Sequence, residues 1–259
     1  MDGVDGRPLA LVTGGCRRIG AAIAAALARR GYALALHGGH DAQPEPMLAG
    51  VLVTHATEWH GFVAAFDDPE TAIRLHAEVV ERFGRAPDLL INNASRFGQD
   101  RLDDITAADL AIHHAINCAA PTLLIQAFAA AATRRAPGER SVVNILDQRI
   151  DQPHGDQLAY TLSKLALAGL TRIAARTLAP NIRVNAVAPG LTIATPDYDD
   201  AQVARLGGRM PLQRLSTPDE IGEAVCWLAG ARSVTGQVLY VDGGARLESF
   251  PQDFMHLER

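Results

Sequence analysis

From Leu9 to Val241, short apolar runs alternate with longer stretches whose apolar side chains recur at helical spacing. That alternation constrains the fold more than any other feature. A chain repeating strand and helix in this order buries both as a parallel sheet with helices on its two faces. Strands are expected at 9–13, 33–37, 61–66, 88–94, 141–146, 182–188 and 238–241. Helices are expected at 18–30, 69–83 and 158–178, and at 107–133 as one long helix or two abutting ones. A further helix opens at Thr217-Pro-Asp-Glu220, a capping box with proline at the first helical position, and runs to about Leu228. Residues 41–60 suggest a short or broken helix, and 191–213 an irregular excursion that could serve as a substrate lid. Nothing marks a domain boundary, so residues 1–259 are expected to form one doubly wound α/β domain of about seven strands, with a tail at 245–259.

Charge and cysteine usage narrow the partners. The net charge is −5 and no Lys/Arg run with interleaved aromatics appears, which argues against nucleic acid. Cys16, Cys118 and Cys226 are far apart and read as buried small hydrophobes in a reducing compartment. The start MDGVDGRP is polar and acidic, unlike a secretory signal, and each apolar stretch is interrupted before bilayer length. The expectation is a cytoplasmic protein that does not enter a membrane.

The first chemical motif is Thr13-Gly-Gly-Cys-Arg-Arg-Ile-Gly20, between the first strand and the first helix. Gly14 and Gly20 permit a tight turn and close backbone approach, and the following helix, starting near Ile19, presents free N–H groups and a positive dipole end to a pyrophosphate. The second strand ends in His37-Gly-Gly-His40, where a cofactor with a free ribose 2′-hydroxyl would usually meet an acid. His37 and His40 with Arg17 nearby favour a 2′-phosphate, hence NADP(H). Asp41, one residue on, is the acid that would point to NAD(H) instead. The two histidines lack a third ligand of suitable spacing, so no metal site is expected.

The second motif is Tyr160-Thr-Leu-Ser-Lys164. On a helix the four-residue spacing puts Tyr160 and Lys164 on one face. A free tyrosine has a pKa of about 10, and a nearby ammonium is expected to lower it. Tyr160 can then serve as a general acid, with Lys164 tuning it and holding a ribose.

In chain order the sequence carries T-G-G-x-x-x-I-G, then Asn92-Asn-Ala94, Asn117, Y-x-x-x-K, R-V-N-x-V-x-P-G and V-D-G-G. Together these motifs resemble the short-chain dehydrogenase/reductase family over nearly the whole chain, from about Pro8 to Gly244. The resemblance implies a single Rossmann-type domain in a homo-oligomer, tetramer favoured over dimer. It implies Tyr160 as catalytic acid, Lys164 as its partner and Asn117 as a residue that helps hold a proton-relay water. Asn93, Ala94, Pro189 and Gly190 would line the cofactor.

Two departures narrow the resemblance. Arg18 stands where the usual loop has glycine, and Asp147 stands where the family has its catalytic serine, thirteen residues before the tyrosine. Both departures resemble pteridine reductases and bacterial dihydromonapterin reductases, as does an aromatic residue after N-A-S, here Phe97. On that resemblance Phe97 stacks on a flat pterin and Ser95 hydrogen-bonds near cofactor and pterin. Arg17 faces the 2′-phosphate, and Arg18 reaches the pyrophosphate and the pterin. Asp147, if buried, is held protonated as a donor to a ring nitrogen. The family's Asp near the adenine is replaced by Ala65. Phe250, Phe254 and Leu257 in the tail are candidates for packing on a neighbouring subunit.

Three functions are thus open: NADPH-dependent reduction of a dihydropteridine, reduction of a ketone or 3-oxoacyl thioester, or a non-catalytic cofactor-binding module. Asp147 favours the first over the second, because a neutral hydroxyl stabilises a developing alkoxide better than an acid that can ionise. Joint retention of Asn117, Tyr160 and Lys164 disfavours the third.

Overall fold

The computed structural model describes residues 6–131, 135–194 and 198–257. Seven strands form one parallel sheet: β1 (Leu9–Val12), β2 (Ala33–Gly38), β3 (Trp59–Val63), β4 (Leu89–Asn92), β5 (Arg140–Ile145), β6 (Ile182–Pro189) and β7 (Val238–Val241). Their order is β3-β2-β1-β4-β5-β6-β7, with every adjacent pair parallel. The chain reverses direction across the sheet between β1 and β4. Their carboxyl ends therefore flank a crevice of the kind in which open parallel sheets bind ligands.

Strand alternation divides the core. Ala10 and Val12 face one apolar layer, shared with Ile23 and Leu27 of α1 (Arg18–Arg29) and Val225 of α8 (Pro218–Gly230). Leu9 and Leu11 face the other, with Leu75 of α3 (Thr71–Phe83), Phe128 of α5 (Ala120–Ala130) and Ala174 of α6 (Leu158–Leu178). Because β1 is buried on both faces, it carries apolar residues at every position, as parallel central strands do. The capping box opening α8 forms as expected: Glu220 N–H donates to Thr217 Oγ1, and Thr217 N–H donates to Glu220 Oε2 at 2.8 Å.

Two expectations are corrected, and two others take one of the forms expected of them. The edge strand β3 starts two residues and ends three residues earlier than expected; Phe66, beyond its end, stacks on His37 with ring centroids 4.4 Å apart. Residues 41–60 hold the short helix expected there, α2 (Pro46–Thr54), unbroken and with proline in its first turn. Of the two forms expected for 107–133, the structure has the two abutting helices, α4 (Ala107–His114) and α5, joined by a π-helical turn at Ala115–Ala119; Thr133 lies outside the described residues. The 191–213 excursion contains α7 (Asp200–Arg209), capped by Asp199, whose carboxylate accepts from Gln202 N–H at 2.6 Å; its residues 195–197 lie outside the described ones. The missed signals were an aspartate cap and a Leu206/Met210 stripe, both fully legible but short.

The tail is corrected too. Phe250 and Phe254 are buried against Leu206 and Met210 of the same chain, with the partly buried Leu257 beside them. Among the described residues no helix is long and apolar enough to cross a membrane.

Candidate active site

A cleft of about 610 Å³ opens at the carboxyl ends of β1, β4 and β5. Its floor at one end is the glycine turn. Gly14 sits at φ +58°, and a Cβ on Gly20 would fall 1.9 Å from the Gly14 carbonyl oxygen, so helix and loop can meet only through a bare backbone. Asn93 locks this turn to β4 by donating from Nδ2 to the Thr13 and Gly14 carbonyls at 3.0 Å each. Thr13 Oγ1 in return accepts from the Asn93 and Ala94 N–H groups.

Arg18 occupies the left-handed region, φ +56°, which is the conformation a glycine there would adopt freely. Its N–H donates to Glu45 Oε2 at 3.1 Å, while Arg17, the residue before α1, supplies no side-chain cap. Arg17, Arg18, Ile19 and Gly20 all face the cleft. Arg17 is exposed and ion-paired with Asp41. This glycine cradle at a helix start, flanked by two guanidinium groups, fits a dinucleotide bearing an extra phosphate.

His37 does not face that cradle. It is 1% exposed, its Nδ1 accepts from Gly14 N–H at 3.2 Å, and its Nε2 donates to the Ala64 carbonyl at 2.8 Å. Burial lowers its pKa to about 4, so the ring is neutral and holds the glycine turn from behind. The expectation that His37 meets the cofactor is thereby corrected to a supporting role. His40 lies apart from the main cleft, in a shallow depression with Asp41, Trp59 and His60. Pro189 ends β6 as a buried residue, and Gly190 after it lines the cleft.

The chemical end of the cleft lies on β5 and α6. Tyr160 Oη donates to Asp147 Oδ2 at 2.9 Å. Asp147 Oδ1 accepts from the Arg149 N–H at 3.0 Å and from Arg149 Nε at 3.3 Å. Burial first, and Asp147 second, push the Tyr160 pKa well above the usual value. This corrects the expected lowering by Lys164. Arg149, whose guanidinium carbon is 5.4 Å from the Tyr160 ring centre, favours the phenolate; Lys164 Nζ lies 5.6 Å from the same ring. In this arrangement Asp147 accepts from Tyr160 on one oxygen and from Arg149 on the other. Lys164 is buried, donates to the Ile145 carbonyl at 2.8 Å, and has its pKa lowered by burial to about 8.

Phe97 forms one wall, edge-on to Tyr160 with ring centroids 4.9 Å apart and half its surface open. Ser95 lines the cleft and donates to Asn117 Oδ1 at 3.2 Å. Asn117 Oδ1 also accepts from Arg96 N–H, and its Nδ2 donates to the Arg96 carbonyl and to Ser163 Oγ. Two donors and two acceptor sites exhaust an amide side chain. The Asn117 side chain, in the π-helical turn, therefore fixes the 95–96 loop.

Sequence reasoning missed Arg149 and Asp253. Arg149 Nη2 donates to Asp253 Oδ2 at 2.5 Å, and Arg149 Nη1 to Gln157 Oε1. Asp253, Phe254 and Met255 of the tail all line the cleft. No local motif marks them; an arginine two residues after the strand-end acid was the available signal.

The model of the Enoyl-(Acyl carrier protein) reductase family matches residues 15–246. Pteridine reductase 1 of Leishmania tarentolae is 33% identical over 283 residues, covering 93% of this chain and 96% of that one. The 3-oxoacyl-(acyl-carrier-protein) reductase FabG of Staphylococcus aureus is 29% identical over 249 residues, covering 91% and 96%. The crystal structure of FolM Alternative dihydrofolate reductase 1 from Brucella suis in complex with NADP superposes with a TM-score of 0.83 at 34% identity, covering 93% and 96%.

Proposed function

The chain belongs to the short-chain dehydrogenase/reductase family, and we propose that it works there as an NADPH-dependent reductase of a dihydropteridine. The observation that carries this reading is the Tyr160–Asp147 hydrogen bond of 2.9 Å, an acid–phenol pair facing a cleft walled by Phe97. The relatives named as a pteridine reductase and as an NADP-bound dihydrofolate reductase support the substrate class and the cofactor.

Gly14, Gly20 and the α1 N-terminus would hold the pyrophosphate, and Arg17 the 2′-phosphate, while Asn93, Ala94, Ser95 and Gly190 would border the nicotinamide side. Bound NADPH supplies the hydride. Phe97 presents a flat apolar face on which a pterin ring stacks. Arg18 offers a charged fork to the pterin's acceptor edge and to phosphate oxygens. Tyr160, kept protonated by its raised pKa, holds the proton on Oη, and Asp147 orients that hydroxyl and accepts from it. Lys164, whose Nζ donates to the Ile145 carbonyl, would hold the cofactor's ribose.

Reduction of a ketone or 3-oxoacyl thioester is the second reading, favoured by the FabG relative. An anion at Asp147 would repel the alkoxide such a reaction develops. NADPH oxidation with dihydrobiopterin or dihydromonapterin, compared with an acetoacetyl thioester, tests the choice. Pterin turnover is expected; turnover of the thioester alone would overturn the pteridine reading and leave the cofactor site standing. A cytoplasmic homo-oligomer, tetramer over dimer, belongs to the same reading. Of this, self-association alone is supported, by Leu162, Leu165 and Ile173, which form an exposed apolar stripe along α6.

A further inference from the structure

The C-terminal tail reaches the reacting pair through one side chain. Arg149 is 3% exposed and Asp253 5%. The Arg149 guanidinium spans two carboxylates. Nε meets Asp147 Oδ1 at 3.3 Å and Nη2 meets Asp253 Oδ2 at 2.5 Å, with Gln157 Oε1 accepting from Nη1. A planar fork can do this where a point-charge ammonium cannot. By occupying Oδ1 with its Nε and its backbone N–H, Arg149 leaves Oδ2 of Asp147 turned to Tyr160 Oη.

Asp253 is itself held firmly. Its N–H donates to Asp156 Oδ2 at 2.8 Å, and its Oδ1 accepts from Met255 N–H at 2.9 Å and from Tyr198 Oη at 3.4 Å. Gln202 of α7 donates to the Met255 and Leu257 carbonyls. A chain of contacts thus runs from the α7 region through the tail to Arg149, Asp147 and Tyr160.

We propose that Arg149 is the positioning residue of the Asp147–Tyr160 pair, and that Asp253 on the tail of the same chain sets how much of the Arg149 charge that pair feels. The inference rests on the reading of Asp147 and Tyr160 as the groups that handle the proton. The charged and titratable groups around the pair are Arg149, His154 and Asp156 on the connection before α6, Lys164 on α6, Asp253 on the tail, and Arg18 across the cleft. Burial first, and Arg149 second, lower the His154 pKa. Of the remaining groups, Arg149 and Asp253 oppose each other directly, one favouring the phenolate and the other the phenol.

The two therefore move the pair in opposite directions. Reduction needs the proton, so kcat/KM falls at high pH where the pair loses it. Arg149→Gln removes a cation and should carry this alkaline limb upward by roughly one pH unit, the lower end of what an adjacent opposite charge produces. Asp253→Asn keeps the shape and the acceptor for Met255 but removes an anion, and should carry the limb downward by roughly half a unit. Arg149→Lys should restore the limb's position but not the full kcat, since it keeps the charge and loses the fork.

The profiles are measured on the full chain with whichever of dihydromonapterin and acetoacetyl thioester the unaltered enzyme reduces. The substrate turned over decides the functional reading, and the sign of the shifts decides this proposal. Limbs that stay in place, or that move in the same direction in both variants, overturn it, because a merely structural role lowers activity without opposite shifts. Should Arg149→Gln fail to fold, Asp253→Asn alone decides: a downward limb supports the proposal, and an unmoved or upward one overturns it.

Discussion

His37 makes the cofactor turn sensitive to acid. In the folded chain its pKa is about 4 against an ordinary 6.5, because burial penalises the imidazolium and both ring nitrogens are engaged as a neutral tautomer. As pH falls through 6.5 the unfolded chain takes up a proton that the folded chain refuses until about 4. The stabilisation is therefore complete above 6.5 and is lost progressively below it. Integrating between these values, the protein should lose about 2 kcal/mol on this account between pH 7 and pH 5. His37→Asn does not titrate and keeps an acceptor near Gly14 N–H. It should be less stable than the unaltered chain at pH 7 by about 1–3 kcal/mol, for the lost bond to the Ala64 carbonyl, and nearly equal to it at pH 5. Urea unfolding of both proteins at the two pH values reads this directly. His76, also lowered to about 4 by burial, is common to both and cancels. Parallel losses in the two proteins would refute the reasoning, since they would place the acid sensitivity elsewhere.

Arg18→Gly should raise stability by about 1 kcal/mol, because the left-handed backbone at φ +56° no longer carries a Cβ. The same variant should raise the dihydropterin KM by roughly tenfold or more through loss of a charged donor; thermal melts and steady-state kinetics separate the two effects. Asp147→Ser should lower kcat for the dihydropterin by about a hundredfold or more while the NADPH KM changes little; intact pterin turnover would sink the assignment of Asp147. Asp41→Asn releases Arg17 from an exposed ion pair and should tighten NADPH binding by about two- to fivefold with NADH unaffected, as read by fluorescence titration.

Much of this molecule is legible in the residues alone. The sheet, its seven strands and the α6 boundaries follow from local period and apolar runs, which are properties of neighbouring residues. Gly14, Gly20, Asn93, Tyr160, Lys164 and Asp147 announce themselves because each belongs to a short motif whose spacing carries its geometry. The roles of several did not follow. His37 turned inward because Phe66 stacks on it and Ala64 offers an acceptor, partners more than twenty residues away that no reading of β2 could supply. The Asn117 side chain proved bonded to the 95–96 loop and Ser163. Two cations flank Tyr160, the helical neighbour Lys164 with Nζ 5.6 Å from the ring centre and Arg149 at 5.4 Å, and only the first could be read from the four-residue spacing. Arg149 in turn is held by Asp253, 104 residues along the chain. Motif spacing names which groups can do chemistry; which charge a buried group feels depends on everything packed around it, and that packing exists only once the chain has folded.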